Sequence, residues 1–193
     1  MSSFVPRQVF LFSGHMIDAP GRASPRFPAS CEPAAAREIG AVLDRLGAGA
    51  GDLAVSQAAA GGDILFLEAA EARGLRCRVM LPFDEPEFIR RSILPSCDGA
   101  SWRDRWLALQ ARQVEPPRVM PRELGPTPPG VDVFERANDW LMDTALGFGP
   151  AKVRFICLWN GAGGDGPGGT QHMMDEVRRH AGQAHWIDTR TLC

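Results

Sequence analysis

The chain reads as an α/β domain built on a mainly parallel sheet. Two observations predict this: short apolar runs that alternate with helical patterns, and glycine-rich turns placed where a strand hands over to a helix. The apolar runs are Gln8–Ser13, Asp52–Gln57, Arg76–Leu81, Val153–Trp159 and His185–Asp188. Most are continuous rather than alternating, the pattern of parallel strands covered on both faces. Right-handed crossovers between them predict a five-stranded sheet in the order 3-2-1-4-5.

Helical spacing fills the gaps. In Pro33–Leu46, Ile39, Val42, Leu43 and Leu46 share one face, Pro33 suits the first turn and Gly47 the stop. Further helices are expected over Asp63–Arg73, Glu85–Ile93, Trp102–Gln113, Val131–Leu146 and Gln171–Ala181. Trp102, Trp106 and Trp140 fall at helical spacing and are expected in the core or an interface; Trp159 ends a strand, and core packing is expected for it too. Residues 114–130 carry Pro116, Pro117, Pro121, Pro126, Pro128 and Pro129, which excludes a helix or a central strand. Too little chain follows for a second core, so this stretch is read as an extended crossover loop inside one domain spanning residues 1–193.

Composition sets outer bounds. A length of 193 residues suffices for a substantial core, and 45% hydrophobic with 23% charged residues is globular. The formal net charge of -2 comes without a basic block, which argues against a duplex-binding surface. The apolar run at Val9–Phe12 is far too short for a membrane span. Cys31, Cys77, Cys97, Cys157 and Cys193 are odd in number, scattered and without a C-x-x-C pair. They suggest neither a zinc site nor a redox motif and point to a reducing cytoplasm. No metal and no resident cofactor are expected.

The chemistry gathers at the turns. Parallel strands place the loops after each strand on one edge, where bare N–H groups and helix N-termini suit an anion such as phosphate. The first turn is Ala58–Asp63: Gly61 and Gly62 allow close approach of a ligand, and Asp63 begins the helix. The second runs from Gly161 to Thr170, with Asn160 before it, a density of glycine hard to explain as a simple connection because each glycine adds to the entropic cost of folding. Neither turn holds a G-x-G-x-x-G or a Walker A lysine. A long loop, Gly14–Pro28, follows the first strand. In it His15 could act as a base or bind a ribose, Asp18 could orient it, and Arg22 and Arg26 have donors suited to phosphate.

These pieces resemble the SLOG superfamily, which includes DNA-processing protein A and the "lonely guy" phosphoribohydrolases. The matching segments are Ser13–Asp18, Gly61–Ala70, Leu81–Phe83, Trp159–Gly161 and Gly164–Thr170, closest to an uncharacterised subgroup. The resemblance implies a single Rossmann-like three-layer domain and a nucleotide-derived ligand. Together with the loop and turn residues read above, the ligand-binding candidates are Gly14, His15, Asp18, Arg22, Arg26, Gly61, Gly62, Asp63, Asn160, Gly164, Gly168, Gly169 and Thr170. The phosphoribohydrolases carry a late P-G-G-x-G-T-x-x-E motif. Aligned on Gly169-Thr170, this chain has Asp165 for the proline, Pro167 for the second glycine and Met173 for the catalytic glutamate. Glu68, one turn beyond Ile64 and Leu65, is the remaining candidate for a catalytic carboxylate.

Three functions stay open at this point. The foremost is a sensor or ligand-binding domain for a nucleotide or nucleotide derivative, without turnover. The others are an N-glycosidic hydrolase or transferase acting on a nucleoside phosphate, and a protein-interaction module that has lost its ligand. The expected partners are a nucleotide-like small molecule and either a second copy of the chain or an effector protein, with no duplex nucleic acid and no membrane.

Overall fold

Val9–Gly14 forms the central strand β1 of a computed structural model that describes residues 4–162, 170–180 and 183–193. The elements after it are α1 (Glu32–Arg45), β2 (Leu53–Ser56), α2 (Gly62–Glu71), β3 (Arg76–Leu81), α3 (Glu85–Ser92) and α4 (Gly99–Arg112). Then come β4 (Arg118–Val119), α5 (Met120–Leu124), α6 (Val133–Leu146), β5 (Val153–Trp159), α7 (Thr170–Arg179) and β6 (Gln183–Asp188). The sheet has six strands in the order β4-β3-β2-β1-β5-β6, and every pairing is parallel.

The five anticipated strands stand in the anticipated order; the sixth corrects the reading of the proline-rich stretch. Residues 114–130 are not wholly an extended loop. Arg118–Val119 pairs with Met80–Leu81 at the sheet edge, and Met120–Leu124 makes a short helix with proline in its first turn. Both are compatible with proline, because an edge strand and a first helical turn leave backbone donors unbonded anyway.

Alternation along β1 divides the core into two layers. Phe10 and Phe12 point into a cluster with Ile39, Leu43, Ile64, Phe66, Ile156 and Leu158, under α1, α2 and α4. Val9 and Leu11 point the other way, to Val55, Trp140, Leu141, Phe155, Met173 and Val177, under α6 and α7. Period-two geometry sends successive side chains to opposite faces, so a continuous apolar run is what a sheet covered on both sides requires. Phe12 stacks on Phe66 with ring centroids 4.7 Å apart, fixing α2 over the central strand. Trp102, Trp106, Trp140 and Trp159 are all buried.

The cysteines hold a pairing that their scattered spacing does not reveal. Cys31, just before α1, forms a disulfide with Cys193, with Cα atoms 5.2 Å apart. Cys77 and Cys157 are buried thiols whose pKa values burial pushes up to about 12, so they behave as small apolar side chains. No helix among the described residues is long and apolar enough to cross a membrane.

Candidate functional site

Because all strands run the same way, β1, β2, β3 and β5 end on one edge, and the chain reverses its strand order between β1 and β5. That switch point is where open α/β sheets leave a crevice. Here it is bridged by residues from both strand ends. His15 N–H donates to the Leu158 carbonyl at 2.9 Å, and the His15 ring Nε2 lies 3.2 Å from Asn160 Oδ1 and 3.3 Å from Asn160 N. Ala162 N–H also donates to Asn160 Oδ1, which orients the amide. Burial pulls the His15 pKa below its ordinary value. The Asn160 hydrogen bond opposes this, and the Arg26 and Arg22 charges add to it against Asp18, so the ring is neutral near pH 7.

The loop after β1 is tightly organised. Asp18 Oδ2 accepts from the N–H groups of Arg26 and Phe27, both at 2.9 Å, and Arg22 Nε lies 3.4 Å from its other oxygen. Asp18 therefore folds the loop, and Arg22 also donates to Ser24 O. Thr189 Oγ1 donates to Arg26 O, tying the loop to the segment after β6.

The first glycine turn is used largely by the protein itself. Gly61 has φ of +112°, and a Cβ placed there would lie 2.6 Å from Ile17 N. Gly62 N–H donates to His15 O, Ile17 N–H to Ala60 O, and Ala60 N–H to Ser92 O. The glycines thus let the loop after β1 lie directly on the start of α2.

Beside this junction lies a cleft of about 160 Å³, lined by Phe12, Ser13, Gly14, Met16, Gln57, Ala59, Asp63, Ser92, Phe134, Asn138 and Leu141. Asp63, in the first turn of α2, is buried. Its Oδ2 accepts from Ala59 N–H at 3.1 Å, while Oδ1 has no hydrogen-bond partner. Ser56 Oγ, buried at the end of β2, is also unpartnered. Burial raises the Asp63 pKa to about 7, with the Ala59 N–H hydrogen bond pulling the other way. A carboxyl poised there can accept or donate a hydrogen bond near neutral pH.

The cleft walls were not legible as a site in the sequence. Gln57, one residue past β2, donates to Asn138 Oδ1 at 2.8 Å. Phe134, Asn138 and Leu141 stand at i, i+4 and i+7 on α6, whose antiparallel run brings its first turns to the carboxyl edge of the sheet. An asparagine on an otherwise apolar face was the available signal. At the rim Phe83 meets Phe134 edge to face at 5.5 Å, and the Arg91 guanidinium lies 4.3 Å from the Phe83 ring centre and 5.3 Å from that of Phe134.

Other candidates fall elsewhere. Glu68 is not in the crevice. It is held by Arg105 through two hydrogen bonds, at 2.9 and 2.5 Å, and Arg105 also binds Glu32 of α1, so the carboxylate serves as a strut between α1, α2 and α4. Met173 is fully buried against the sheet. Gly164, Gly168 and Gly169 lie outside the described residues; Thr170 opens α7. Among the described residues no group of three or more His, Cys, Asp or Glu could hold a metal ion.

No protein-family model matches the chain, and no curated protein matches it. Among solved structures, the Moco carrier protein from Chlamydomonas reinhardtii is similar, with 14% sequence identity, coverage of 95% of this chain and 91% of that one, and a TM-score of 0.36.

Proposed function

We propose that this protein binds a nucleotide or nucleotide-derived small molecule at the carboxyl edge of its sheet and does so as a ligand-binding or sensor domain without turnover. The observation that carries the reading is the buried Asp63 carboxyl, which keeps one oxygen without a partner in a cleft beside the strand-order reversal. A buried acceptor left unmade costs roughly 1–3 kcal/mol, a cost that a bound donor relieves. The SLOG-like segments add the nucleotide, since Ser13–Asp18 and Gly61–Ala70 are the pieces that build the junction beneath the cleft.

Two side chains speak against turnover. Met173 fills the core where the related phosphoribohydrolases have glutamate, and Glu68 is engaged by Arg105 away from the cleft. One observation favours a second reading: a carboxyl held near 7 in a cleft suits general acid–base work at an N-glycosidic bond.

One experiment separates the two. The purified protein is incubated with a panel of nucleoside mono-, di- and triphosphates while thermal shift and free base are measured together. A shift in melting temperature without base release supports the sensor reading. Base release that disappears in Asp63→Asn supports the hydrolase, and no shift with any nucleotide overturns both.

A further inference from the structure

The groups around the cleft bear on how the ligand lies in it, an inference that rests on the nucleotide reading above. Glycine turns lead one to place a phosphate against the first turn of α2. Two N–H groups there are already used, because Gly62 N–H donates to His15 O and Ala60 N–H to Ser92 O. The start of α6 is closed too, since Asp132 accepts from Phe134 N–H and Glu135 N–H, both at 2.9 Å. The acidic residue that lines the cleft is Asp63, whose Oδ1 is buried and has no hydrogen-bond partner. A carboxyl group in a desolvated position repels a phosphate and attracts an N–H.

The remaining walls suit a flat ring. Phe134 lines the cleft and is steadied by Phe83. A volume of about 160 Å³ is below the roughly 300–1,000 Å³ of pockets that enclose a whole drug-sized ligand, so only part of a nucleotide enters. Positive charge stands outside, where the Arg91 guanidinium lies over the two rings next to the cleft-lining Ser92. Its nearest carboxylate, Glu87, is 3.9 Å away and makes a shorter contact, at 2.6 Å, to Arg90. A guanidinium held over aromatic rings keeps N–H donors with which to meet an anion.

We infer that the ligand enters base first: the cleft takes the ring N–H edge of a lactam-type base (hypoxanthine, guanine or uracil) on Asp63, the ring lies along Phe134, and the phosphate stays at the rim on Arg91. Adenine and cytosine present a bare ring nitrogen at the corresponding position, so an ionised Asp63 would face an acceptor with an acceptor.

The test is calorimetric titration of the whole chain at pH 8.0, where a carboxyl with a pKa of about 7 is mostly ionised. The probes are inosine, adenosine, uridine and cytidine monophosphates and the nucleoside inosine. Inosine monophosphate is expected to bind at least about tenfold more tightly than adenosine monophosphate, and uridine than cytidine monophosphate, as a lost hydrogen bond to a buried charged group predicts. Asp63→Asn, checked for folding by circular dichroism, is expected to bring each pair within about threefold, the spread of an ordinary neutral contact. Arg91→Ala should weaken inosine monophosphate and leave inosine unchanged. Equal binding of all four monophosphates, or a ranking retained in Asp63→Asn, overturns this orientation and leaves nucleotide binding standing. Failure of every probe to bind overturns the nucleotide reading along with it. If Asp63→Asn does not fold, the wild-type ranking and Arg91→Ala still decide.

Discussion

Asp63 is a carboxyl whose burial is costly to the fold and which, in the proposed reading, meets the ligand. Its proton is released near 3.8 in the unfolded chain and near 7 in the folded one. Between those values the folded state holds the extra proton, so this residue's contribution to stability falls as pH rises from about 4 to 7. Asp63→Asn keeps an acceptor for Ala59 N–H and removes the titration. The variant is therefore expected to gain on the wild type as pH rises, by an amount on the order of a few kcal/mol, read from urea midpoints at pH 5 and pH 8. His15 acts in the opposite sense, since burial holds it neutral and its contribution is lost as pH falls below 6.5, which is why the comparison is variant against wild type. Glu68 is the contrasting residue. From sequence it was the natural candidate for a catalytic acid because apolar residues precede it; the ion pair that decides its role comes from Arg105, 37 positions away. Glu68→Gln is expected to leave nucleotide affinity unchanged and to cost no more than about 1 kcal/mol in denaturant melts, the usual worth of a partly exposed pair.

At the scale of elements, the strands and their order were legible because burial on both faces leaves a simple mark, a continuous apolar run. Val9–Phe12 and Val153–Trp159 carry that mark, and right-handed crossovers between such runs give the strand order. The edge strand Arg118–Val119 carries no such mark: two residues among prolines cannot be told from a loop until β3 is beside them. The first glycine turn was legible as a special backbone but not in its purpose. Gly61 adopts its φ of +112° so that α2 can begin against residues 15–17. Gly61→Ala would place a methyl 2.6 Å from Ile17 N and strain the backbone as well. A loss of about 2 kcal/mol or more is expected, measured as a fall in urea midpoint, since a disfavoured backbone region alone costs roughly 1–3 kcal/mol. The cleft walls escaped the sequence for a related reason. Gln57 and Asn138 are 81 residues apart, and only the crossover that carries α6 back over the sheet pairs them.

For the molecule as a whole, the two apolar layers supply the main stabilisation and the Cys31–Cys193 bridge closes the chain across 162 positions. An odd cysteine count concealed that pair, since pairing depends on where β6 delivers the segment after it. Non-reducing intact mass is expected to read two hydrogens below the fully reduced chain, and Cys31→Ser to lower stability by about 2–4 kcal/mol. A fully reduced mass in protein kept from reductant would remove the bridge from this account. The candidate cleft also depends on the whole molecule, because parallel strands bring the ends of β1 and β2 and the first turns of α6 to one edge. Hydrogen–deuterium exchange of the intact protein, with and without inosine monophosphate at saturating concentration, tests that placement most directly. The account predicts added protection concentrated in residues 12–16, 56–63 and 134–141. Protection confined to α1 and β6, or none at all while the nucleotide is bound, would contradict it.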